Sequence, residues 1–98
     1  MRDLAALTGA DFEGAVGTDF EIDDGESGAV KIRLAEVVLM SERPGHRRPF
    51  SLRFHGPLSP VLPHLTHHLE HAEIGSLELF LGPIAAEPDR IVYEAVFA

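Results

Sequence analysis

Apolar side chains recur at every second position in five stretches of this chain: Phe20 and Ile22; Val30, Ile32 and Leu34; Phe50, Leu52 and Phe54; Leu77, Leu79 and Leu81; and Ile91, Tyr93, Ala95 and Phe97. A period of two is the signature of an extended strand that buries one face and wets the other. The first two stretches flank the turn cluster Asp24-Gly25-Glu26-Ser27-Gly28, whose glycines suit positive φ. Folding them as a hairpin sets Ile22 opposite Val30, Phe20 opposite Ile32, Glu21 opposite Lys31 and Asp19 opposite Arg33. Both faces agree on one register, and a one-residue slip would turn the apolar set outward. Beyond Leu34 the alternation resumes one step late at Val37 and Leu39, which predicts a β-bulge near Ala35 and Glu36.

Elsewhere the pattern is broken by punctuation. Thr8 or Asp11 is suited to cap a short helical turn ending near Gly14 or Gly17, with Phe12 and Val16 lidding the core. A loop over 41–49 precedes the Phe50 strand. Pro57, Pro60 and Pro63 recur every third residue, which suits an extended crossover over one end of the core, with Leu58, Val61 and Leu62 buried beneath it. Gly82-Pro83 is expected to stop the Leu77 strand. With the stretch around residues 66–71 counted as a strand, six short strands predict an all-β fold, a small antiparallel barrel or sandwich with a short N-terminal helical turn. The 98 residues suffice for one domain, with 1–17 as an N-terminal cap and 18–98 as the β core.

The chain has no cysteine, which removes disulfides, thiolate metal sites and thiol catalysis. Without a long apolar run near its start or anywhere else, it is expected to be soluble, cytoplasmic and independent of membranes. The net charge of −8 argues against nucleic-acid binding, which draws on many Lys and Arg contacts to phosphate. The charge is unevenly spread. Residues 1–28 hold eight acidic groups against Arg2, residues 29–55 hold six basic groups against Glu36 and Glu42, and residues 56–98 hold six acidic groups against Arg90. The middle of the chain is a basic island.

Chemistry is most suggested by the histidines between His64 and His71. His67-His68-Leu69-Glu70-His71 matches the H-x-x-E-H pattern of inverted zinc proteases, in which two histidines one helical turn apart share the metal. On a helix begun at Ser59-Pro60 and stopped at Gly75, His67 and His71 would be neighbours. On a strand they lie about 13 Å apart, too far for one zinc. The residues leave both open, but a β-domain of 98 residues has little room for the extra helices and cleft of such a protease, so a strand and no metal or other cofactor are expected; a metal-binding or ligand-binding barrel using His67, His68 and His71 is the alternative. No H-x-H pair, Gly-rich phosphate cradle or G-x-S-x-G elbow occurs, and no base is evident beside any serine.

Arg43-Pro44-Gly45-His46-Arg47-Arg48-Pro49 places three guanidinium groups and a histidine on one hairpin loop, with Pro44-Gly45 suited to a type II turn. Arg43, His46, Arg47 and Arg48 form the candidate interaction loop, able to meet carboxylates or phosphates, including the acidic face of a second copy in a homodimer. The expected reading is nevertheless a solvated loop that keeps the domain soluble. The proline repeat could also serve as a ligand for an aromatic groove, but a core-capping crossover is the expected reading, because Leu58, Val61 and Leu62 need burial.

Pro49-Phe50-Ser51-Leu52-Arg53-Phe54-His55-Gly56-Pro57, Leu69-Glu70-His71, Gly75-Ser76-Leu77-Glu78-Leu79-Phe80-Leu81 and Tyr93-Glu94-Ala95-Val96-Phe97, with Asp11-Phe12 and Val16-Gly17 before them, resemble an uncharacterised family of short bacterial all-β domains, a domain of unknown function. The resemblance implies that Leu69-Glu70-His71 is a strand leading through a tight turn at Gly75. The family pattern has a tyrosine in place of His67 and an arginine in place of His68, so only His71 fits it, implying a turn-stabilising hydrogen-bond partner. It also implies an association with phage-tail-like or fibre-type structural proteins. The expected function is a noncatalytic interaction or accessory module that engages a protein partner through loops or sheet edges.

Overall fold

The computed structural model describes residues 3–23 and 28–97. Its strands are β1 Asp19–Asp23, β2 Ala29–Leu39, β3 Phe50–Gly56, β4 Leu65–His71, β5 Gly75–Glu87 and β6 Arg90–Phe97. They close into an antiparallel barrel in the order β1-β2-β3-β6-β5-β4, so barrel rather than sandwich is the outcome. Each of these strands pairs with two neighbours, and none of them offers the free edge expected for partner binding or edge-to-edge dimers.

The alternating residues point where their period places them. Phe20, Ile22, Ile32, Leu34, Phe50, Leu52, Phe54, Leu77, Leu81 and Tyr93 are fully buried and fill the lumen. The β1–β2 register is the one the two faces specify, with Phe20 opposite Ile32 and Ile22 opposite Val30. Of that hairpin's turn, residues 24–27 lie outside the described residues; Gly28 has φ +100°. The β-bulge appears where the alternation fails, between Leu34 and Glu36.

In a six-membered ring of this order, β3 and β4 stand opposite one another. Residues 57–64 must therefore cross one end of the barrel. Leu62 plugs that end at 3% exposure, and its backbone N–H donates to the Tyr93 hydroxyl at 2.9 Å. Leu58 and Val61, expected to be buried, are instead 50% and 54% exposed. One inward residue fills the opening, and a segment spanning it in extended form must turn the others outward. Replacing Tyr93 by phenylalanine is expected to cost about 1–2 kcal/mol, because it leaves a buried N–H without an acceptor. Thermal unfolding would measure the loss, and amide exchange at Leu62 should quicken before that of β3.

The opposite end is closed by the N-terminal segment. Asp3 accepts from the Ala5 N–H (3.0 Å) to cap a 3-10 turn, Leu4–Ala6, and a short helix α1, Gly9–Glu13, follows with Thr8 as N-cap. Asp11 accepts from the Thr8 N–H at 2.7 Å, holding the first turn. Phe12 enters the barrel mouth with ring centroids 5.9 Å from Phe50 and 5.5 Å from Phe97, which stack on each other at 4.5 Å. Val16 is 43% exposed, so Leu7 and Ala15 accompany Phe12 in place of it.

Gly82-Pro83 does not stop β5. The strand runs on to Glu87, pairing with β4 up to Leu81 and with β6 from Gly82. Pro83 lies beside a register shift between Pro83 and Ala85, where a missing N–H costs the ladder least.

Candidate functional site

Residues 40–49 join β2 to β3 at the capped end. The turn is as expected: His46 N–H donates to the Arg43 carbonyl at 3.0 Å and Gly45 has φ +80°. Its arginines, however, do different work. Arg47 Nη1 donates to the carbonyls of Leu4 (2.6 Å) and Leu7 (2.7 Å), and its guanidinium lies 5.7 and 5.6 Å from the ring centroids of Phe50 and Phe97. It staples the 3-10 turn to the barrel, as a second donor to the Leu4 carbonyl, which already accepts from the Leu7 N–H, and as a donor to the carbonyl of the capping residue Leu7. Arg48 donates to the Met40 carbonyl at 2.7 Å and faces Glu42 at 3.9 Å. Arg43 and His46 remain exposed.

The histidines are dispersed. Residues 65–71 form a strand, so His67 and His71 face inward at opposite ends of it while His68 faces out. His67 Nε2 donates to the Pro63 carbonyl at 2.8 Å, and His64 packs on Gly82, where any side chain would overlap its ring. His71 is buried against Phe20 with ring centroids 4.4 Å apart. Its Nδ1 accepts from the N–H groups of Glu73 and Ile74, both at 3.1 Å, and its Nε2 lies 2.8 Å from the Thr18 hydroxyl. That hydroxyl donates to the Ala15 carbonyl, so it accepts from His71, which places the ring proton on Nε2. His71 thus ties the cap to the β4–β5 turn, the role the resemblance implies. Among the described residues no three His, Asp or Glu side chains converge to hold a metal. Titration with zinc is expected to leave the melting temperature unchanged; a saturable rise would reveal a site bound tightly in the native state.

Beside His68 lies an arrangement that imitates a catalytic triad in composition only. Ser76 donates to both Glu70 carboxylate oxygens (2.9 and 2.8 Å), and His68 Nε2 is 2.6 Å from Oε1. The carboxylate sits between serine and imidazole, so the imidazole cannot take the serine's proton. Hydrogen bonding from His68, then from Ser76, holds the Glu70 carboxyl below the usual carboxylate range.

Chemically suggestive side chains gather instead at the crossover end. An open groove of about 500 Å³ runs over the outer face of β2 and the end of β3, lined by Lys31, Arg33, His55, Asp19 and by Pro57, Ser59 and Pro60 of the crossover. Arg33 and His55 are register partners across β2 and β3. Arg33 pairs with Asp19 at 3.5 Å, whereas Lys31, opposite Glu21 in register, makes no ion pair with the described residues. Arg90 Nη1 donates to His55 Nδ1 at 2.9 Å, and Arg90 is itself held by Glu87 at 2.9 Å and Asp89 at 3.3 Å. In the sequence, Lys31 and Arg33 read only as cross-strand partners of acidic residues. The one earlier signal of the groove is the basic island over 29–55.

Residues 7–97 match the model of a family described as a domain of unknown function, DUF6916. The chain belongs to that family. The match takes in the whole DUF6916 barrel and most of its cap, from Leu7 to Phe97. No curated protein and no solved structure matches the chain. In this DUF6916 domain no helix among the described residues is long and apolar enough to cross a membrane.

Proposed function

We propose that the domain is a noncatalytic protein-interaction module, an accessory or structural component that docks a protein partner at the crossover end of the barrel. The observation that carries this reading is the exposure of Leu58 and Val61, 50% and 54%, on a crossover restrained by Pro57, Pro60 and Pro63. Aliphatic side chains on a proline-held segment are already ordered, so a partner that covers them gains apolar burial at small conformational cost. The same crossover forms a wall of the cationic groove, which puts apolar and charged contacts side by side, as in the core and rim of protein interfaces. The tail-like or surface setting implied by the resemblance is one assembly such a module would serve. A chain without cysteine is indifferent to the reducing cytoplasm, where we place it.

The test is a photo-crosslinking residue in place of Val61 or, as a control on the capped end, Glu13, in the full chain within its own cells. A distinct protein adduct from position 61 alone, lost when Leu58 is also changed to Asp in a chain that still folds, is expected. Equal labelling from both positions, or an adduct indifferent to Leu58→Asp, would remove the crossover end from the interface.

A further inference from the structure

Resting on the interaction reading, we infer that the groove between β2, the end of β3 and the crossover receives the carboxylates of an extended acidic peptide segment of the partner. Apart from the Ser59 hydroxyl and the acidic Asp19, the polar side chains that line it are Lys31, Arg33 and His55. Lys31 brings an ammonium without an ion-pair partner among the described residues, and Arg33 brings a guanidinium that Asp19 engages through Nε at 3.5 Å. The third donor follows from a protonation constraint. A guanidinium only donates, so the Arg90 contact obliges His55 Nδ1 to accept, and the ring proton must sit on Nε2. Nε2 has no partner among the described residues and belongs to a groove-lining ring.

Three donors beside a single carboxylate call for an anionic, acceptor-rich ligand. The walls narrow the choice. Pro57 and Pro60 offer apolar surface and no N–H, and the groove is open along its length, so a small carboxylate would leave most of its own surface in water. A peptide that crosses the groove places an acidic side chain on Lys31 and Arg33 and an aliphatic neighbour against the prolines and the exposed Leu58. The loop at the capped end is a poorer anion site, because Arg47 is spent on the cap and Arg48 on Glu42 and Met40.

The probe is a labelled decapeptide of alternating Glu and Leu, compared with its Gln-for-Glu counterpart by fluorescence anisotropy and by backbone amide shifts of the folded full chain. Binding is expected from the Glu peptide only, weakening as salt rises, with shifts at Ala29 to Arg33 and His55 to Ser59. Lys31→Gln with Arg33→Gln should weaken it about fivefold or more. Asp19→Asn should tighten it, since it removes the competing carboxylate and releases Arg33; a gain of affinity cannot come from misfolding. Equal binding of the Gln peptide, shifts centred on residues 42–48, tighter binding of inorganic phosphate than of the peptide, or self-association abolished by Lys31→Gln would each overturn the proposal. If the peptide fails while Val61 still crosslinks, the ligand chemistry is wrong and the module stands; if both fail, the module reading falls with it.

Discussion

Phe54→Ala should destabilise the barrel by about 3–5 kcal/mol, while Phe80→Ala should change stability by less than about 0.5 kcal/mol. The two residues share a chemistry and differ in face. Phe54 is fully buried and meets Phe20 edge-on at 5.4 Å, so its removal forfeits transfer energy and leaves a cavity the closed ring cannot collapse around. Phe80 is 64% exposed on the outer face of β5. For a chain of this size, whose whole stability is on the order of 5–15 kcal/mol, the first change should lower the melting temperature by roughly 12 °C or more. Chemical denaturation of both variants measures the contrast. Similar losses at the two positions would mean that Phe80 does not lie on the outer face of β5.

Arg47→Ala should cost about 2–3 kcal/mol, and Arg48→Ala less than about 1 kcal/mol. Arg47 makes two short charge-assisted hydrogen bonds to Leu4 and Leu7 and lies over two aromatic rings, so its loss frees the 3-10 turn from the barrel. Arg48 is 46% exposed at its side chain and faces Glu42 through water-screened space. Unfolding of the two variants separates them, and faster amide exchange over Leu4–Ala6 should accompany the first change alone. Equal effects would return Arg47 to the role of a solvated loop charge. Because Arg47 serves the fold, a light-scattering test of this loop as a homodimer contact belongs on Arg43 and Arg48.

Asp19 to Ile22 and Val30 to Arg33 can be placed in register from the residues alone, because a hairpin is local and both of its faces vote on the same pairing. The bulge after Leu34 was equally legible, since a phase slip in a period-two pattern has one simple remedy. Gly82-Pro83 does not stop β5 for a related reason: a proline ends a strand only where a backbone N–H is needed, and β5 changes partners at that point. The histidine segment depended on one choice, helix or strand, that its residues alone left balanced.

Alternation by itself determined which side chains face the interior in every strand but β4, and therefore that the chain folds as β-structure around one core. Only the tertiary structure decided that β3 lies beside β6 and β4 beside β1, because backbone hydrogen bonds between distant strands look the same whatever residues supply them. That ring order sends residues 57–64 across the barrel end and leaves Leu58 and Val61 outside. It also brings Lys31, Arg33, His55 and the crossover around one groove. Long flexible arginines obey the same rule, since the partner of Arg47 is set by what the folded chain places within its reach.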